Sequence, residues 1–145
     1  MALMYDLDQY KWLYVTSCFP LVTSMYAFYR GYPILSFLQF SIYMSSINFW
    51  RMPDYSWRRY VDFAVVKSCI LYQNIYLLGG AENVGGFYVF FSFGVLAYAL
   101  SFYFHGIGKV WLSVYVHALM HTLSAVGCIY LYTGAIPRAN SLLVG

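Results

Sequence analysis

The fold of this chain is decided by residues 110–132, which read VWLSVYVHALMHTLSAVGCIYLY. At about 1.5 Å per residue, an apolar helix of this length crosses the hydrocarbon core of a bilayer. Two of the three histidines, His117 and His121, lie four residues apart in it, so both imidazoles project from one face. We expect that face to meet protein rather than lipid, because imidazoles need a partner in hydrocarbon. The same spacing adds three polar residues to it: Ser113, Ser124 and Cys128.

The composition excludes an ordinary soluble domain. Of the 145 residues, 62% are hydrophobic, 23% are aromatic and only 9% are charged. A soluble domain of this length could not bury so much apolar surface, so we expect an integral membrane protein. The net charge of +3 is small, and the absence of a basic run argues against a nucleic-acid partner. The three cysteines fall in apolar runs and predict no disulfide.

Five apolar segments predict an all-α fold, with residues 1–145 forming a single bundle of about five transmembrane helices. The segments span residues 12–29, 34–50, 57–78, 87–104 and 110–132. The sequence RGYP at residues 30–33 is typical of a tight turn with proline opening the next helix. The N-terminus has no basic region and no small-residue cleavage site, so we expect no removable signal peptide.

The distribution of basic residues predicts a multi-pass orientation with a cytoplasmic N-terminus. Cytoplasmic loops of membrane proteins are enriched in lysine and arginine. On the side shared by the N-terminus and the even-numbered loops lie Lys11, Arg51, Arg58, Arg59 and Lys109, whereas the other side carries Arg30 and Arg138.

Polar side chains of four segments converge on one leaflet of the predicted bundle. Ser46 lies near the end of the second segment, Asp62 lies near the start of the third, and His105 closes the fourth. His117 and His121 lie roughly 10 to 18 Å in from the same face, at the helical rise. We therefore predict a shared cavity. A His-x-x-x-His pair on one helix is also a common way to offer two metal ligands.

Two residues of the third segment have a second interpretation. Asp62 follows Arg58 and Arg59, so it is also consistent with an interfacial acid that the helix dipole and the arginines favour. Lys67 projects about 140° away from Asp62 at 100° per residue. Its position is consistent either with snorkelling to the interface or with pairing inside the bundle.

Three motifs together resemble a known family. They are Ser46-x-x-Phe49-Trp50 with Pro53, Arg58-Arg59-Tyr60-Val61-Asp62-x-Ala64, and His117-x-x-x-His121 with Gly127 six residues on. In order and in position at helix ends they resemble the haemolysin III and adiponectin/progestin receptor family. That family is related to the alkaline ceramidases in the CREST superfamily of membrane hydrolases. The resemblance implies a seven-helix fold with a zinc ion held by three histidines, where a metal-activated water cleaves a lipid amide such as ceramide.

The resemblance assigns roles to individual residues and shows two departures. His117 and His121 match the zinc pair, Asp62 matches the acid, and Ser46 matches the serine. Trp50 stands where the first zinc histidine of the family is expected, and the only other histidine is His105. The chain between Asp62 and His117 has room for one more helix rather than three, so we expect a truncated fold.

Three functions remain open on this sequence. The first is a zinc-dependent lipid amide or ester hydrolase, with His117, His121 and either Asp62 or His105 as metal ligands. In it, Asp62 moves the proton and Ser46 orients the water or the oxyanion. The second is a non-catalytic pseudoenzyme that binds lipid or a membrane partner. The third is a small bundle with an ion or proton pathway lined by the histidine pair, Asp62 and Lys67.

Overall fold

The computed structural model describes residues 4–77 and 80–137, which form six helices. These helices are α1 (Leu7–Thr16), α2 (Phe19–Tyr29), α3 (Pro33–Trp50), α4 (Trp57–Leu77), α5 (Val84–Gly106) and α6 (Val110–Thr133). The predicted all-α fold class is confirmed. The last four predicted segments agree with α3 to α6 to within three residues at each end.

The first predicted segment, 12–29, is not one helix. It is divided between α1 and α2, and α1 begins earlier than predicted. The break follows from Pro20, whose ring lacks an N–H and clashes with the carbonyl four residues earlier, that of Thr16. Thr16 Oγ1 donates to the Trp12 carbonyl at 3.0 Å, and Ser17 Oγ donates to the Leu13 carbonyl at 2.6 Å. These two hydroxyls satisfy carbonyls at the end of α1.

Glycines in the left-handed region form two of the tight turns. Gly31 has φ +79° and precedes Pro33, the first residue of α3, as the RGYP sequence predicts. Gly108 has φ +77° and reverses the chain between α5 and α6. Because both turns are short, each brings consecutive helices against each other.

The helices form an open ring. The most extensive contact is between α5 and α6, where Gly127 allows a close approach: a Cβ there would lie 2.9 Å from the Cβ of Phe90. Helix α2 packs on α3 and α6, and α1 packs between α6 and α3. Helix α4 packs extensively on α3 only, and within the described residues it makes no extended contact with α5. The ring is therefore open between α4 and α5, except at the end where Tyr76 and Leu77 share an apolar core with Phe87.

Two separate apolar cores close the two ends of the ring. One joins the α2–α3 turn to the end of α6 and includes Leu35, Leu131 and Tyr132, all fully buried. The other joins α1 and the end of α3 to the start of α6 and includes Leu13 and Trp50. The middle of the bundle lies between these cores and is hollow.

Helices α5 and α6 are long and apolar enough to cross a membrane. Their most apolar stretches have mean hydropathies of 1.7 and 1.4, and only 22% of each stretch is buried inside the structure. A core helix of a soluble protein would be mostly buried, so these helices present apolar side chains outward. Other outward-facing apolar side chains lie on α2, α3 and α4, among them Phe28, Tyr29, Phe37 and Trp57.

The α3–α4 loop is fastened by a buried carboxylate. Asp54 is 1% exposed and accepts from the Ser56 backbone N–H at 3.1 Å and from Arg58 Nη2 at 2.8 Å. Hydrogen bonds from Ser56, followed by the Arg58 guanidinium, hold the pKa of Asp54 below its usual value. Arg58 also donates to the Met52 carbonyl at 3.0 Å, so one side chain spans the loop.

We expect Asp54→Asn to lower the thermal unfolding temperature of the detergent-solubilised protein at neutral pH. Because the folded pKa lies below the unfolded value of about 3.9, the carboxylate stabilises fully above that pH. Its contribution is lost as the pH falls through the folded pKa, so the gap between variant and wild type should close in acid. Asp8→Asn, at an exposed carboxylate, is the matched control. Equal unfolding temperatures at neutral pH would contradict the assignment.

Candidate functional site

The hollow between the two cores is a cavity of about 250 Å³. Its walls come from α2 to α6, together with Ser17 before α2, and are mostly apolar. Four of the five predicted site residues line it: Ser46, Asp62, His117 and His121. Trp50 lines the same cavity. Residues that are distant in the sequence, from α3 to α6, thus line one cavity.

The acid of the site is held by two serines across the α3–α4 interface. Ser45 Oγ and Ser46 Oγ each donate to Asp62 Oδ1 at 2.8 Å. Asp62 is buried, and its other oxygen, Oδ2, accepts no hydrogen bond from any residue that the structure describes. Since Asp62 lines the cavity, Oδ2 is the oxygen available to a ligand there.

The arginines that precede Asp62 have other partners. Arg58 pairs with Asp54, and the Arg59 guanidinium lies over the Tyr55 and Phe63 rings at 5.4 and 5.2 Å from their centroids. Within the described part of the chain, Asp62 therefore has no ion-pair partner. The geometry favours the cavity interpretation of Asp62 over the arginine-paired interfacial one.

The two histidine rings of α6 lie edge to face, with centroids 5.0 Å apart and planes at 84°. Nδ1 of His121 lies 2.9 Å from Thr16 Oγ1, and Nδ1 of His117 lies 3.3 Å from Ser101 Oγ. Both hydroxyls already donate to backbone carbonyls, Thr16 to Trp12 and Ser101 to Tyr98. If both of these bonds to carbonyls are kept, each hydroxyl accepts from the imidazole, and this assignment places the proton of a neutral ring on Nδ1.

This tautomer leaves the Nε2 lone pairs free. Neither Nε2 has a hydrogen-bond partner in the described residues, and no fully buried side-chain nitrogen or oxygen there lacks one. The two Nε2 atoms therefore reach open space in the cavity that both rings line. The other residues predicted on the histidine face of α6 also point inward: Ser124 and Cys128 line the cavity, and Ser113 is fully buried.

Trp50 lies beside the histidine pair. Its ring centroid is 5.2 Å from that of His117, with the planes at 70°. On its other side lies Tyr5, at 5.9 Å, and Tyr5 contacts His105 at 5.2 Å. Burial raises the pKa of the Tyr5 phenol. The Tyr5 and Trp50 rings thus separate His105 from the pair, and His105 does not line the cavity.

The residues at this site do not form a complete zinc site. Catalytic zinc normally has three protein ligands and a water. No group of three or more histidine, cysteine, aspartate or glutamate side chains is placed to hold a metal ion in residues 4–77 and 80–137. Trp50, beside His117, has no lone pair to offer a metal. Two imidazole nitrogens are available, and the zinc expected from the sequence lacks its third ligand.

No family model, curated protein or solved structure matches this chain. The resemblance to the CREST superfamily therefore stays a prediction from the sequence motifs.

A second polar cluster lines the cavity further along α6. Gln39 Nε2 donates to Gln73 Oε1 at 3.1 Å and lies 3.5 Å from Cys128 Sγ, while Thr23 Oγ1 donates to Gln39 Oε1 at 3.1 Å. Tyr132 OH donates to Gln73 Oε1 at 3.4 Å. These groups satisfy one another, so they join α2, α3, α4 and α6 at the cavity wall.

Lys67 also lines the cavity, together with Asn74, which lies about two turns further along α4. The expected separation of Lys67 from Asp62 does not put them on different surfaces. Because α4 ends the open ring, the cavity wall covers a wide arc of its circumference. Lys67 is exposed, and its ammonium lies 5.9 Å from the centroid of the Phe63 ring.

Thr16→Val tests the assignment of the histidine proton. Loss of the hydroxyl removes the acceptor of His121 Nδ1–H, and an unpaired buried donor costs about 1–3 kcal/mol. In ¹⁵N spectra of histidine-labelled protein, we expect wild-type His121 in the Nδ1–H form and the variant to shift toward the Nε2–H form. Thr122→Val, at an exposed threonine whose hydroxyl bonds to the Ala118 carbonyl, should leave the spectrum unchanged. An Nε2–H form in the wild type would overturn the assignment.

Proposed function

We propose that this protein is a multi-pass integral membrane protein that binds a single-chain lipid in the cavity, as a non-catalytic relative of the CREST hydrolases. One observation carries the proposal. A polar set of Ser46, Asp62, His117 and His121 borders an apolar cavity, while the indole of Trp50 lies beside the histidine pair.

The membrane assignment is supported by the outer surface of the bundle. Helices α5 and α6 are long and apolar enough to cross a bilayer, and most of each is exposed. Large aromatic side chains of α2 and α3 face outward as well, including Phe28, 71% exposed, and Phe37, 68% exposed. Monomeric soluble proteins rarely expose large contiguous apolar patches. In this proposal α1 and α2 together form one crossing, α3 to α6 form four more, and the N-terminus is cytoplasmic.

The lipid assignment is supported by the size and opening of the cavity. The cavity of about 250 Å³ lies just below the roughly 300 to 1,000 Å³ of small-molecule pockets, so we take a single acyl chain as its occupant. Its apolar lining includes Val66 and Ile70 of α4 and Phe91 and Val95 of α5. The gap between α4 and α5 opens toward the side of the bundle, where acyl chains lie in a bilayer.

The relation to the CREST hydrolases is supported by the acid, the serine and the histidine pair. Asp62 and Ser46, matched to the family on sequence alone, are hydrogen-bonded at 2.8 Å, and both line the cavity with the pair. Trp50 supports the non-catalytic assignment, since loss of one of three ligands lowers metal affinity severely.

Photolabelling with a diazirine-bearing fatty alcohol tests lipid binding. We expect labelled peptides from the cavity walls and a large loss of labelling in Val66→Trp, whose indole would fill the cavity. Val65→Trp is the matched control, because the neighbouring valine does not line the cavity. Labelling confined to outward residues such as Phe37 and Tyr115, or equal labelling in both variants, would contradict the proposal.

Metal content tests the non-catalytic assignment. We expect little zinc in the detergent-purified wild type and a rise of tenfold or more in zinc affinity for Trp50→His, because a third imidazole completes the set. Trp57→His, at an exposed tryptophan outside the cavity, should not change it. Near-stoichiometric zinc in the wild type that is lost in His117→Ala/His121→Ala would instead favour the zinc hydrolase. Unchanged zinc content in a folded Trp50→His protein would count against the family alignment.

A further inference from the structure

Lys67 is a cation at the midpoint of a helix that the proposed function places across a membrane. It is the central residue of α4, and at about 1.5 Å per residue it lies roughly 15 Å from either end. A lysine side chain is too short to bring its ammonium to an interface that far away. A charged group at such depth pairs with another group or faces a cavity.

Among the described residues, Lys67 has no ion-pair partner. The ion pairs in the described part of the chain are Lys11 with Asp8 and Arg58 with Asp54, and neither involves Lys67. Asp62, one and a half turns away, is held on Oδ1 by two serines. The nearest attraction is the Phe63 ring at 5.9 Å, a contact that neutralises no charge. Lys67 lines the cavity wall on α4, one side of the α4–α5 gap.

We propose that the ligand of this cavity is a fatty acid whose carboxylate pairs with the Lys67 ammonium. The inference rests on the proposed function and names the class of lipid. The positive charge of Lys67 favours an anionic head group. The acyl chain would lie against the apolar side chains near Lys67, which are Val66 and Ile70 on α4 and Val95 on α5. Asn74 lines the same wall, and its Nδ2 donates to the Ile70 carbonyl at 2.8 Å, which leaves its second N–H for the ligand.

A carboxylate fits this site better than a phosphate. Phosphate groups are usually bound by arginine clusters, by several backbone N–H groups or by a helix N-terminus. Here a single ammonium stands in the middle of a helix, which matches the single charge of a carboxylate.

The test compares two ligands of equal chain length, tritiated oleic acid and tritiated oleyl alcohol, on the full chain in detergent at a pH where the acid is ionised. We expect the acid to bind about tenfold more tightly or better, because hydrogen bonds between charged partners are roughly twice as strong as neutral ones. Lys67→Met should abolish this preference, and binding of the alcohol to the variant reports that the variant is folded. Lys67→Arg should keep the preference, and Lys11→Met, at the exposed lysine of α1, should not affect it.

The outcomes separate this inference from the proposed function. Equal affinities for acid and alcohol in the wild type, or a preference that survives in Lys67→Met, would overturn the role of Lys67 and leave lipid binding standing. Binding of neither ligand would overturn both. A monoacyl phosphate is measured as a third ligand. If it binds more tightly than oleic acid and Lys67→Met removes that difference, the ligand is a phosphate and the carboxylate assignment is overturned.

Discussion

The carboxylate of Asp62 must find hydrogen-bond donors because it lies in an apolar interior, and Ser45 and Ser46 supply them from α3. These two bonds fix the register of α4 on the one helix that it packs against extensively. The Asp54–Arg58 pair fastens the loop at the end of the same hairpin. Held in this way, α4 stands away from α5, and the cavity exists because of that separation.

Much of the fold follows from the sequence because it depends on local rules. The bounds of α3 to α6 are set by apolar runs and by turn residues such as Gly31 and Pro33, and the structure agrees with them. The break between α1 and α2 has an equally local cause in Pro20, but the apolar run hides it. The residues around Pro20 are apolar, so the hydropathy stays high at the point where the helical backbone hydrogen bonds are interrupted.

The site is only partly accessible to sequence reasoning. The spacing of His117 and His121 predicts their common face, but their partners Thr16 and Ser101 come from other helices, and no periodicity relates them. Likewise, the helical wheel separates Lys67 from Asp62 correctly, yet both line the cavity. A wheel assumes that a helix has one inner face, whereas a helix at the end of an open ring has a wider one.

A row of rings connects the end of α5 to the centre of the bundle. It runs from His105 through Tyr5, Trp50 and His117 to His121, with neighbouring centroids 5.0 to 5.9 Å apart. The indole of Trp50 is thus a packing element shared by one apolar core and the cavity wall. A tryptophan at this position keeps this end of the bundle closed, whereas the smaller ring of a histidine would leave space there.

The one-sided packing of α4 has a consequence for the stability of the protein. Over most of its length α4 packs on one neighbour, so we expect it to open at a lower free energy than helices packed on several. Its amides should then exchange with solvent deuterium before those of α5 and α6. Because α4 carries Asp62, Lys67 and Gln73, local unfolding of this helix dismantles the cavity wall while the remaining helices stay folded. A molecule bound against that wall would slow this opening by mass action. Its occupancy could then be read from the amide exchange rates of α4.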